Sequence, residues 1–169
     1  MPAPPDDPDA HETVADLIDD APVCMLTTRR ADGTMMSRPM RWLTRDGFDG
    51  DLWFFTYGSS RKVEDVGQDA HVNVAFFSDD HAVAVSVRGT AAVVRDPATL
   101  DELWEPKLNA WFPEGRETED LVLLRVEGHG AEYWDGSQNP VEVAVGLVKG
   151  LVTDGTAGTA DNEKLTLDA

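Results

Sequence analysis

The chain has 169 residues, 41% hydrophobic and 8% aromatic, enough for one globular domain with a core of its own. Its 32 acids against 14 Lys and Arg give a net charge of −18, which argues against nucleic acid and anionic membrane as partners, since both need a cationic face. One cysteine, Cys24, leaves no internal disulfide or cysteine-cluster metal site and fits a reducing, cytoplasmic setting.

Residues 1–9 carry neither a basic segment nor an apolar core, so they read as a disordered lead-in and not a signal peptide. The domain is expected over 10–152, with a tail over 153–169. No apolar run approaches the roughly 20 residues that span a bilayer. From Ala10 to Asp20, acids alternate with Val14, Leu17 and Ile18, which predicts a short amphipathic helix ending before Pro22. Val23 to Arg29 reads as a buried strand, Asp32-Gly33 as a hairpin turn, and Thr34 to Leu43 as the return strand. Pro39 interrupts that strand. Having no N–H, it belongs at an edge or a bulge.

Asp46-Gly47 and Asp49-Gly50 mark a second turn before the aromatic strand Asp51 to Tyr57. A helix follows from about Ser60 to Val66, stopped by Gly67. His71 to Phe77 alternates with Val72, Val74 and Phe76 on one face. Asp79-Asp80 turns into Ala82 to Val94, a long strand bent at Gly89. Asp96-Pro97 is a cap and first helical position, and Leu100, Leu103, Trp104 and Leu108 continue at helical spacing to about Ala110. Trp111-Phe112-Pro113-Glu114-Gly115 then places bulky apolar groups on a loop. Leu121 to Val126 and Gly130 to Trp134 read as two strands, Pro140 to about Val148 as a helix, and Lys164 to Leu167 as a late strand. Six or more antiparallel strands with a few helices at the turns predict a mainly β fold, a small β-barrel with peripheral helices.

Catalytic signatures are missing. His11, His71, His81 and His129 are scattered without metal-ligand spacing, Asp79-Asp80-His81 reads as a solvated turn, and neither GxGxxG nor GxxxxGK[ST] occurs. Redox chemistry would therefore need a bound cofactor. What stands out is Thr56-Tyr57-Gly58-Ser59-Ser60-Arg61-Lys62, where two cations open a helix. That is the electrostatically unfavourable end, by about 0.3–1 kcal/mol each, unless an anion sits there. The alternative is a capped surface helix whose cations face water. Lysine is scarce, four against ten arginines, and Asp outnumbers Glu 21 to 11, an acidic surface that suggests adaptation to high salt. Ser37-Arg38-Pro39-Met40-Arg41 and Tyr133-Trp134-Asp135, with Trp111-Phe112 as a lid, are the other candidate parts. Together they would suit a phosphorylated, flat aromatic ligand.

Trp53-Phe54-Phe55-Thr56-Tyr57-Gly58-Ser59-Ser60-Arg61-Lys62 resembles the FMN phosphate-binding segment of pyridoxamine 5′-phosphate oxidase-like proteins. Ser37-Arg38-Pro39-Met40, the Trp104 to Gly115 stretch, Ala131 to Asp135 and Val141 to Leu151 resemble the general stress protein 26 branch, in the same order. The resemblance implies an FMN-binding split β-barrel and a homodimer with FMN at each subunit interface. Thr56, Ser60, Arg61 and Lys62 would hold the phosphate, and Phe55 would also bind the cofactor. Arg38, Pro39, Met40 and Arg41 would line the isoalloxazine and ribityl chain, partly through freed backbone groups. Trp134 would arrive from the partner subunit. After Trp134 the substrate-binding Arg-x-His of the true oxidases is absent, which argues against pyridoxamine phosphate oxidation. The implied function is an FMN-dependent oxidoreductase on a small substrate. A non-catalytic flavin-sequestering stress protein and a deazaflavin-dependent reductase remain as alternatives.

Overall fold

Alternating apolar residues along most of the chain predict strands with one buried face, and the computed structural model bears this out. It describes residues 10–78, 83–135 and 161–166. The strands are β1 (Val23–Arg29), β2 (Met35–Arg41), β3 (Asp51–Tyr57), β4 (His71–Ser78), β5 (Val83–Val94), β6 (Leu121–Asp135) and β7 (Asp161–Thr166). They join one sheet in the order β2-β1-β4-β5-β6-β3, with β7 also on β6. Every pairing is antiparallel. The first half of β6 pairs β3 and its second half pairs β7.

The sheet curls until its two ends meet at one point. Leu43, just past β2, exchanges both backbone hydrogen bonds with Trp53 of β3, each at 2.9 Å. Away from that bridge β2 and β3 pair with nothing on their facing edges among the described residues, so the barrel is split there.

Two apolar layers hold this shape. Inside the curl, Leu26, Leu52, Phe54, Val74, Val85, Val87, Leu124 and Val126 pack with Val14 and Ile18 of helix α1 (Ala10–Ile18). Outside β3 and β6, Trp53, Phe55 and Leu123 pack under Leu103, Leu108 and Phe112. Leu103 belongs to α3 (Pro97–Leu103), and Leu108 to a 3₁₀ turn, Pro106–Ala110. Covered on both faces, β3 reads as a continuous apolar run instead of an alternating one.

Several expected boundaries shift for identifiable reasons. Pro39 sits in an unbroken register opposite Met25, not in a bulge. Arg30 donates to Thr34 O at 2.9 Å, and alternation from that bonded pair puts Pro39 at a non-bonded position. Its missing N–H faces the free edge and costs no ladder bond. Helix α2 (Arg61–Gln68) runs through Gly67. The helix expected over 97–110 breaks at Trp104 and Glu105, both extended, because Pro106 disfavours the helical conformation of its predecessor. The two strands expected over 121–134 are one. The late strand is β7, which begins three residues before Lys164; Leu167 is outside the described residues. So are the lead-in over 1–9, the turn at Asp79-Asp80 with His81, the helix expected from Pro140 and the tail over 153–160.

The bend at Gly89 is present as a register shift between Arg88 and Gly89. A Cβ at Gly89 would collide with the backbone carbonyl of Glu127 on β6. Neither backbone can yield without breaking the ladder. Gly89→Ala is expected to cost about 2–3 kcal/mol in urea denaturation.

Candidate functional site

The split between β2 and β3 opens a pocket of about 240 Å³. Pro39, Met40 and Arg41 of β2 form one wall, Phe55, Thr56 and Tyr57 of β3 another, with Lys62 at one end and Leu108, Trp111 and Phe112 across the top. Because Trp53 turns its N–H and C=O to Leu43, alternation turns those of Phe55 toward the open edge. The same parity turns the N–H and C=O of Arg41 to the free edge of β2. The slot thus combines aromatic surface with strand-edge donors and acceptors.

Aromatic packing fixes the roof. Phe55 meets Trp104 edge-on at 5.2 Å, and the Tyr57 ring lies 5.2 Å from Phe112. The Tyr57 hydroxyl donates to Trp111 O at 3.4 Å. Trp111 itself stays exposed at the mouth.

The polar end is built by the β3–α2 turn. Lys62 Nζ donates to Thr56 Oγ1 at 2.9 Å, and Thr56 Oγ1 lies 3.3 Å from Ser60 Oγ. Ser60 is the N-cap of α2 but makes no side-chain cap. Burial, and then the charge of Arg38, pull the Lys62 ammonium below the ordinary lysine value. No carboxylate pairs with Lys62 among the described residues. Asp120, at φ 67°, locks the turn: its carbonyl accepts from Gly58 N–H at 2.8 Å and its Oδ2 from Ser59 N–H at 2.7 Å. Those bonds from Ser59, more than the nearby Arg95, hold the Asp120 carboxyl below the usual carboxylate range.

Arg38 stands behind this end and not in the slot. Its Nη1 donates to Thr28 Oγ1 at 2.8 Å, and its Nη2 lies 3.6 Å from Asp65 Oδ2. Thr28 Oγ1 in turn donates to Asp65 Oδ2 at 2.8 Å. Asp65 is only 3% exposed. Desolvation lowers Arg38 and the Asp65 charge partly restores it.

Of the residues singled out from sequence, the pocket brings together Pro39, Met40, Arg41, Phe55, Thr56, Lys62, Trp111 and Phe112, with Ser60 one hydroxyl contact away. Arg61 is on the water side of α2, its Nη1 2.9 Å from Glu64 Oε2 in an exposed ion pair. That is the solvated-cation alternative, realised for one cation of the two. Trp134 is distant: it lies on β6, about 40 Å of strand contour from Val122, the residue paired with Thr56. Sequence reasoning missed Leu108 as lining, and Thr28, Asp65 and Asp120 as supports. An acid beside Val63 and Val66 on a short helix was the available signal for Asp65.

Comparison with known proteins matches this chain to the model of a family described as pyridoxamine 5′-phosphate oxidase like, over residues 9–158. Protein bli-3 of Neurospora crassa is 30% identical over 138 residues, which cover 76% of this chain and 66%, just under two thirds, of bli-3. General stress protein 26 of Bacillus subtilis is 26% identical over 139 residues, 80% of this chain and 96% of that protein. The general stress FMN/FAD binding protein of Xanthomonas citri superposes with a TM-score of 0.67 at 29% identity, covering 79% of this chain and 93% of that one.

Proposed function

Since this chain belongs to the pyridoxamine 5′-phosphate oxidase like family, we propose that it is a general stress protein 26-like flavoprotein that binds FMN in the β2–β3 slot. One observation carries this reading: a half-buried Lys62, with no carboxylate to neutralise it among the described residues, faces hydroxyls at the end of an aromatic slot. That is the charge pattern of a site made for a phosphate attached to a flat ring. Lys62, Thr56 and Ser60 hold the phosphate. Arg61 adds long-range positive charge, and Arg38 fixes the position of the β2 wall. Pro39, Met40 and the free edges at Arg41 and Phe55 face the ring and its chain. Bound there, FMN supplies hydride and electron transfer, while the protein orients it and limits access.

The slot is half a site. Its volume lies below the roughly 300–1,000 Å³ of small-molecule pockets. Beside it, the outer sheet face exposes Val23 and Met25 of β1 and Phe77 of β4, the last 65% exposed. Trp134 shares that face through its pairing with Ala84, itself paired with Phe77. A contiguous apolar face of this kind marks an interface. A second copy of the chain, related by a twofold axis, covers it and brings the partner subunit's Trp134 to the slot. Phe77→Glu is expected to convert a dimer to monomers in sedimentation velocity; an unchanged sedimentation coefficient would contradict this arrangement.

The activity is FMN-dependent oxidoreduction of a small substrate. The test has two steps. The native protein is denatured, and the mass and spectrum of the released molecule are read: FMN is expected, a deazaflavin or no chromophore is not. NAD(P)H-dependent reduction of the bound flavin is then assayed; turnover supports an enzyme, and its absence favours the flavin-sequestering alternative.

A further inference from the structure

Resting on that flavin reading, we propose that the guanidinium of Arg41 recognises an oxyanion, carboxylate or phosphate, on the substrate that enters the slot beside the flavin. Arg41 lines the pocket from the β2 wall. Its Nε is buried and donates to nothing among the described residues. Its Nη2 lies 4.0 Å from Glu105 Oε2, within ion-pair range but beyond a hydrogen bond. Lys107 Nζ lies 2.6 Å from the same oxygen, so Glu105 is shared between two cations.

A guanidinium offers five donors in a rigid planar fork, and a buried donor left unfilled costs free energy until something fills it. Glu105 therefore holds Arg41 in place without saturating it. Arg41 and Lys62 are separate cations on separate elements, β2 and α2, and both border the one slot. If Lys62 serves the cofactor phosphate, the unspent fork of Arg41 remains for a second anion. Trp111, Phe112 and Leu108 beside it favour an anion carried on an apolar body. Arg–carboxylate and Arg–phosphate pairs form two parallel bonds, so the selectivity depends on the fork as well as on charge.

The test uses the FMN-loaded full-length chain, titrated with benzoate, phenyl phosphate and benzyl alcohol while the visible flavin band is followed. At least one anion is expected to bind tenfold or more tighter than the neutral alcohol, and the better anion tells carboxylate from phosphate. Arg41→Met should erase this preference and Arg41→Lys should retain only part of it, both variants being titrated at saturating FMN. The proposal is overturned if all three probes bind alike. It is also overturned if Arg41→Met weakens FMN as much as the anion, which assigns Arg41 to the cofactor, or if it dissociates the dimer and leaves the preference intact. A chain that takes up no FMN overturns the underlying reading as well; a loaded chain that ignores the anion's charge overturns this proposal alone.

Discussion

Lys62→Ala should weaken FMN binding about 10- to 150-fold and leave riboflavin binding unchanged. A charge-assisted hydrogen bond to a phosphate contributes about 1.5–3 kcal/mol, and Lys62 is the cation at the hydroxyl-lined end of the slot. Arg61→Ala, by contrast, removes an exposed ion pair with Glu64, so its effect should be smaller and should shrink with added salt. The sign of the pH dependence follows from the same geometry. In the free protein burial lowers Lys62 below the ordinary lysine value of about 10.4, whereas a bound phosphate favours its charged form. Binding then takes up a proton between those two values, and FMN affinity falls as pH rises through that window. Lys62→Arg should abolish the fall. Taking the ratio of FMN to riboflavin affinity cancels the titration of the ring itself, so above about pH 8, where the FMN phosphate is already fully ionised, isothermal titration with both ligands reads the lysine.

Asp65→Ala should destabilise the fold by about 3 kcal/mol in urea denaturation, the low end for breaking a buried ion pair. Asp65 is almost wholly buried, while the Arg38 side chain is 18% exposed and can recover some solvation. Removing the acid leaves a guanidinium with one hydroxyl and one carbonyl for company, Thr28 Oγ1 and Leu26 O. The double variant Asp65→Ala, Arg38→Met should recover most of the loss, because both ends of the buried pair then become apolar. A double variant no more stable than Asp65→Ala alone would mean that the cost is packing and not charge. FMN affinity gives a second readout: with Arg38 loosened, the β2 wall shifts relative to Lys62, and FMN should bind more weakly even where the chain is fully folded.

How much of this was legible in the residues depends on the range of each interaction. The Gly58–Lys62 turn was readable because its chemistry is local: a strand end, a Gly/Ser turn and two cations within five residues. Yet adjacency could not separate Arg61 from Lys62. Successive helical residues point about 100° apart, so one faces the slot and the other water. Pro39 was rightly restricted to an edge or a bulge, but only the sheet order, with β2 terminal, decides between them. The Arg38–Asp65 pair joins β2 to α2 across β1, a contact of long sequence separation that no periodicity encodes. The break before Pro106 was readable from proline's effect on its predecessor, but the apolar spacing of Leu100, Leu103 and Leu108 masked it. The placement of Trp134 depends on β6 running as one long strand past Gly128 and Gly130, two glycines that look like a boundary in sequence.

The proposed phosphate cradle of Lys62, Thr56 and Ser60 lies at one end of the slot. Its most direct measurement is the ratio of FMN to riboflavin affinity for the apo-protein, by fluorescence quenching at neutral pH and low salt. FMN is expected to bind at least tenfold tighter, with inorganic phosphate competing against FMN and not against riboflavin. Equal affinity for the two flavins would contradict it.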